Sequence, residues 1–445
     1  MTQTAPAPRH RPKAAATPPP PPGAGAGAAY APPAVAPGVA PAPASGLRTT
    51  TRLRVAMAVG VVAALLVAVL GWQAGSRQAA ALHEVQTRST WLVGVQQVRN
   101  ALVAADATAT TTFLVGGLEP ADQRARYDDY LTQAADGLVT VAAGDRASTA
   151  ALATVSADLT TYAGLIEQAR AANRQGLPVG TAYLDQASTL LRAQMLPALD
   201  GVVLTGADEV ASGFGAVRNA PWLLFAVLGG LLVLLVVHIA DARRTHRVLN
   251  PPLTVAALLV LVAGVYATGL LSVSSSAQDT RTGSYRATLA VSQATAAAHD
   301  ARAMESFTLI RRGSGAAYEK KFVTAADETT RQLGRVPDGS SDHTTQLFEA
   351  WRALHVQVRA LDDGGNWDGA VALVVGTAAD SPAAAFEAFV QSAAADLQAS
   401  TSATEQTLTD DQGRANRIGW VLAGAGLLAA LLTWRGLARR LEEYR

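Results

Sequence analysis

Four uninterrupted apolar runs, Val55–Trp72, Trp222–Ala240, Leu253–Val273 and Ile418–Trp434, constrain this chain more than any other feature. A helix needs roughly 17–25 apolar residues to cross a bilayer, and all four runs reach that range. They contain no Asp, Glu, Lys or Arg, and His238 is their only histidine. Charges inside a bilayer usually mark an ion path or a proton relay, so their absence argues against a pump or a secondary transporter. The runs also explain why only 16% of the 445 residues are charged, where about 25% is usual. The sequence therefore describes an integral membrane protein. With no cysteine in the chain, a disulfide scaffold, thiolate metal sites and cysteine nucleophiles are excluded.

Arginine placement predicts the orientation. The short segment 241–252 holds Arg243, Arg244 and Arg247; Arg48, Arg52 and Arg54 precede the first run; Arg435, Arg439, Arg440 and Arg445 follow the last. Such residues flank spans on the cytoplasmic side, which places 73–221 and 274–417 outside and both termini inside the plasma membrane. The three inner segments carry a net +10 and the two outer ones −9, leaving the +1 of the whole chain. No nucleic-acid partner is implied. More than fifty residues precede the first run, so a retained signal anchor is expected, with cleavage near Ala79–Ala81 as the alternative.

Residues 1–46 hold 13 of the 21 prolines, including Pro18–Pro22. Such density forbids helices and ladders, and a disordered cytoplasmic tail (1–54) is expected, either plainly solvated or with a binding role for the proline run. The remainder reads as a tandem duplication of span, outer domain and span. Tyr127…Ala134-Ala135-Asp136 matches Tyr318…Ala325-Ala326-Asp327, and Tyr162, Leu165, Gln168, Arg170, Ala171 and Gly176 match Trp351, Leu354, Gln357, Arg359, Ala360 and Gly365, both without gaps. Trp91, Val95, Val98, Leu102, Ala105 and Ala109 follow helical spacing, as do Leu152–Ala169 and Leu347–Leu361. No segment alternates as a strand does. Breaks are predicted at Gly116-Gly117 with Pro120, Gly144, Gln175–Gly180, Gly313–Gly315, Pro337–Ser341, Asp362–Asp368 and Ser381-Pro382. The fold class that follows is an all-α membrane protein: four transmembrane helices (55–72, 222–240, 253–273, 418–434) and two extracytoplasmic up-down bundles, 73–221 and 274–417. The arginine loop 241–252 and the basic tail 435–445 complete it. The first and last helices of each bundle are long enough to form a stalk.

Catalytic signatures are lacking. There is no P-loop, dinucleotide fingerprint or nucleophile elbow, and the seven histidines lack paired ligand spacing, so no enzyme, metal or cofactor is expected. His343 and His355 read as surface residues, and Arg170 and Arg359 as ordinary exposed arginines or a pair of anion contacts. Ala56, Gly60, Ala64 and Ala68 form a small-xxx-small ladder that lets helices approach closely, within the chain or between chains of a homo-oligomer. The distal turns offer Leu177, Pro178, Asn366 and Trp367 as partner contacts, with local packing of Trp367 as the alternative. Arg243, Arg244, Arg247, Arg439 and Arg440 are candidate cytoplasmic contacts, because neither inner segment is long enough to hold an output domain.

This order of tail, span, helical outer domain, span, arginine loop, span, helical outer domain, span and basic tail resembles the actinobacterial GlnX family over nearly the whole chain. The resemblance implies a relay of amino-acid availability from an extracytoplasmic solute-binding lipoprotein, GlnH, to a soluble cytoplasmic Ser/Thr kinase of the PknG type. It carries over no individual residue. Two alternatives stand beside it: a direct small-molecule sensor with chemoreceptor-like four-helix ectodomains, and a non-signalling membrane scaffold or accessory subunit.

Overall fold

The computed structural model describes residues 49–245 and 251–443, and every regular element among them is helical. The proline-rich segment 1–48 and Arg247 lie outside the described residues, and the side chains of Arg244 and Arg440 are not among those described.

Helix α1 (Thr49–Phe113) runs 65 residues without a break, roughly 100 Å at 1.5 Å per residue. Its expected stripe faces inward, with Val95, Val98, Leu102, Ala105 and Ala109 all buried. Gly116 and Gly117 end it by adopting φ of +68° and +62°, a region open to glycine at little cost. Pro120 stands one residue before α2 (Ala121–Gly144) as its N-cap. Helix α3 (Thr149–Arg174), α4 (Val179–Leu190), a π-helical turn (Leu191–Met195) and α5 (Leu196–Asn219) complete the first half. Helix α2 stops at Gly144 beside Trp91, whose indole N–H donates to the Val141 carbonyl at 2.9 Å. A β-carbon at Gly144 would come within 2.6 Å of that ring.

After α6 (Leu224–Thr245), the chain climbs again through α7 (Pro251–Ala267), α8 (Gly269–Thr282) and α9 (Ser284–Ile310), then α10 (Ala316–Leu333), α11 (Asp342–Asp363), α12 (Trp367–Val375) and α13 (Pro382–Glu443). The predicted breaks thus fall between helices, because each contains the glycines or prolines that the next turn cannot absorb.

The halves are not separate bundles. Helices α1 and α9 pack against each other in the middle, and one apolar core joins Leu102, Tyr127, Tyr162 and Leu199 to Phe307, Phe322, Trp351 and Phe389. Below it, α1, α5, α8 and α13 make the expected stalk around Leu82, Val85, Phe214, Val273 and Leu408. Gln78 sits inside the stalk and donates through Nε2 to the Leu270 carbonyl at 3.0 Å and the Ser274 hydroxyl at 2.8 Å.

Lower still, all four apolar runs meet around Ala64, Val67, Val227, Leu234, Ala256, Val260 and Ala429. Three helical stretches, within Thr51–Phe113, Pro251–Ile310 and Pro382–Arg439, are long and apolar enough to cross a membrane, and α6 adds the shorter apolar stretch Val227–Ala240. The chain has the makings of a multi-pass membrane protein. Outward faces of the runs leave Val62, Leu66, Val69, Leu232, Val236, Leu258, Val262 and Leu431 exposed, a continuous apolar girdle that water alone would not tolerate. Trp72 and Trp420 pair at its margin nearest the stalk, their rings 6.2 Å apart, as suits an interfacial aromatic belt. The small-residue ladder packs within the chain: Ala64 and Ala68 are buried, and a β-carbon at Gly426 of α13 would lie 2.6 Å from that of Ala68.

Candidate functional site

Charge is buried where the two halves meet. Asp106 of α1 has no exposed surface and accepts hydrogen bonds from Tyr162 Oη at 3.2 Å, Ser188 Oγ at 2.7 Å and Arg192 Nη1 at 2.8 Å. The same guanidinium reaches Asp300 of α9, Nη2 to Oδ1 at 2.7 Å. Arg192 belongs to the π-helical turn, and such turns recur at functional sites because the extra residue re-aims a side chain. Burial works against its charge, but Asp300 and Asp106 outweigh that and raise its pKa. One cation therefore keys α1 to α9. Thr111 and Ser306 reinforce the seam about one and a half turns further on, with hydroxyl oxygens 2.9 Å apart.

A second network fills the other half. Arg302 and Glu305 pair inside α9, Arg302 Nη2 also donates to the Val374 carbonyl at 3.1 Å, and His355 Nδ1 lies 3.0 Å from Glu305. His355 Nε2 is 3.2 Å from Glu319, which in turn meets Arg359 at 3.4 Å. His355 is 3% exposed and stacks on Phe322 at 3.5 Å between ring centroids, so it is a core residue and not the surface histidine the sequence suggested. Burial alone would lower its pKa, yet the bonds to Glu305 and Glu319 leave it raised. Burial would likewise raise Glu305, but Arg302 and His355 hold it below the usual carboxylate range.

The paired arginines also differ from expectation. Arg170 lies 4.0 Å over the Tyr127 ring and bonds Glu119 and Glu167, each at 2.9 Å. Arg359 is held by Glu319 and by Asp362 at 2.6 Å. Both are structural clamps. The sequence offered one overlooked sign of the seam: Asp106 and Asp300 each stand seven residues before a phenylalanine, Phe113 and Phe307, at the end of an alanine-rich helix.

On one side of the seam lies a groove of about 550 Å³, bordered by Arg99, Arg192, Lys320 and Lys321 with Asp300 and Glu328. The distal candidates fall in two places. Leu177 and Pro178 are exposed in the α3–α4 turn. Asn366 caps α12 by accepting from the Gly369 N–H at 3.0 Å. Trp367 points inward, donating from Nε1 to the Leu309 carbonyl at 2.8 Å, with Arg312 3.3 Å over its ring. At the other end, Arg243 and Arg439 are exposed. Among the described residues, no three or more His, Asp or Glu are grouped to hold a metal ion.

Comparison with known families adds one assignment. Residues 81–215 match the family model of an actinobacterial sensor domain. The match begins in the stalk portion of α1 and ends in α5, so the matched stretch takes in Asp106, Tyr162, Ser188 and Arg192 and leaves their partner Asp300 outside. It supports a sensing or signalling role. No curated protein and no solved structure matches the chain.

Proposed function

We propose that this protein is a four-span transmembrane signal relay, with both termini cytoplasmic and its helical ectodomain outside the plasma membrane. The observation that carries the reading is the continuity of α1 and α13: each runs unbroken from the ectodomain core through the stalk into the apolar girdle. A rigid helix passes a tilt, twist or slide along its whole length, and an uninterrupted antiparallel pair gives one helix a fixed reference in the other. The sensor-domain match and the arginine-marked inner ends support the same direction of flow.

In the finer form of this reading, an extracytoplasmic solute-binding lipoprotein that reports amino-acid supply docks on the distal turns, and a cytoplasmic Ser/Thr kinase reads Arg243, Arg244, Arg247, Arg439 and Arg440. The protein itself is no enzyme and needs no cofactor or nucleic acid; the two halves are duplicated copies whose seam sets the resting state, and self-association into a homo-oligomer is compatible with it. Coupling of about 1–3 kcal/mol between the two faces is sufficient. The test is affinity capture of the tagged full-length protein from detergent-solubilised native membranes. A solute-binding lipoprotein and a kinase are expected together, and the kinase is expected to disappear with Arg243→Glu/Arg439→Glu while the lipoprotein stays. Recovery of neither would defeat the relay.

A further inference from the structure

Apart from that groove, α1, α2, α9, α12 and α13 line a cavity of about 150 Å³. Its floor is unusual in chemistry. His299 is 6% exposed, lines the cavity, and touches Phe386 and Tyr130 edge-on at 5.2 and 6.2 Å; among the described residues its ring nitrogens have no hydrogen-bond partner. An imidazole that faces a cavity without a protein partner has its N–H and its lone pair free for a ligand. Beside it stands Arg302, also buried and also lining the cavity. Its Nη1 pairs with Glu305 and its Nη2 donates to the Val374 carbonyl at 3.1 Å, which leaves three of its five N–H donors for a ligand. Burial and the Arg302 charge together hold the His299 pKa down to about 4, which keeps the imidazole neutral.

We propose that this cavity binds a small carboxylate, held by Arg302 and by an imidazole N–H of His299. An anion satisfies both groups at once, whereas an ammonium would oppose Arg302. The Thr111 and Thr112 side chains add polar atoms to one wall, and Val374 and Phe386 make the other wall apolar, as a short hydrocarbon tail requires. At the ~30 Å³ that a water occupies in the liquid, the space suits about five non-hydrogen atoms, the size of propionate. Rim carboxylates Asp122 and Glu387 are exposed or half-exposed, and Glu387 is paired with Arg126 at 3.1 Å. The site touches α1 and α13, the two helices that run to the membrane, and so a ligand there biases the same elements. It does not depend on a protein partner or on the relay reading.

The test is calorimetric titration and thermal melting of the full-length protein in detergent with acetate, propionate, lactate and butyrate, and with propionamide as the uncharged match for propionate. Saturable binding of at least one of the acids is expected, with propionamide much weaker than propionate. His299→Phe keeps the ring contacts and removes the N–H; it is expected to weaken binding roughly ten- to hundredfold. Ala383→Leu fills the cavity from its wall and is expected to do the same, and it decides the matter where His299→Phe fails to fold. No saturable binding by any of the four acids, equal binding of propionamide, or undiminished binding by the folded variants would each overturn the proposal.

Discussion

Gly75 and Gly419 meet backbone to backbone across the antiparallel pair of α1 and α13. A β-carbon on Gly75 would lie 2.6 Å from the Gly419 Cα and 2.6 Å from the Ala415 carbonyl oxygen. No rotamer relieves a clash between backbone atoms, so the helices themselves must part. Gly75→Ala is expected to cost about 1–3 kcal/mol, the usual toll of overpacking, and Gly75→Leu more. Thermal melting in detergent measures the loss. If the pair transmits signals, both variants also disturb output even where enough folded protein remains.

Gly164 in the middle of α3 provides the opposite case. It is exposed, and a β-carbon there would meet nothing within 4 Å. Gly164→Ala is therefore expected to stabilise by about 0.5–1 kcal/mol through reduced freedom of the unfolded chain. A lowered or unchanged melting midpoint would contradict the packing described around α3.

Arg192 ties Asp106 to Asp300, and its removal strands a carboxylate with no exposed surface. Arg192→Met is expected to destabilise by about 3–5 kcal/mol, because breaking a buried pair costs more than the pair contributes. Arg192→Met/Asp106→Leu is expected to recover part of that loss, since the uncompensated charge goes too. A double-mutant cycle followed by urea unfolding separates the two effects. Absence of coupling between the positions would remove Arg192 as the key of the seam.

The absence of cysteine makes the seam directly readable. Thr111 and Ser306 lie in different halves with their hydroxyls 2.9 Å apart, so Thr111→Cys/Ser306→Cys is expected to oxidise to an intrachain disulfide within membranes. Cleavage at an engineered protease site between α5 and α6, followed by non-reducing electrophoresis, reports it: the halves stay joined only if the bridge has formed. Either single variant gives two pieces.

Much of this architecture was legible locally. The apolar runs, the breaks at Gly116-Gly117 and Gly144, and the stalk length each depend on a few neighbouring residues. The seam was not legible, for a reason visible in α9. Every residue from Ala301 to Leu309 is buried, so that stretch of the helix has no solvent face and no periodic stripe. Its Arg302 and Glu305 imitate a surface, and only contacts 50 or more positions away, at His355 and Val374, reveal them as interior. His355 misleads in the same way, since its partners Glu305 and Glu319 are distant in the chain. Trp367 shows the limit from the other side: a tryptophan in a polar turn looks like a docking residue until the Leu309 carbonyl is found beneath its indole N–H.

His299 and His355 shift in opposite directions, and the sign of each fixes a separate pH window. His299, held down to about 4 by burial and by Arg302, stays neutral in the folded chain while an unfolded histidine takes up a proton near pH 6.5. The unfolded state then binds more protons, so its contribution to stability is full above pH 6.5 and is lost as pH falls toward 4, by about 3 kcal/mol in all. His355 is raised, its bonds to Glu305 and Glu319 overcoming burial, so its contribution is full below pH 6.5 and fades as pH climbs through its folded value. Melting curves from pH 4 to 9 are expected to show both slopes. His299→Phe should flatten the acid limb and leave the alkaline one, and His355→Gln should do the reverse. A variant that flattened the wrong limb would mean that the histidine in question titrates in a different environment from the one described.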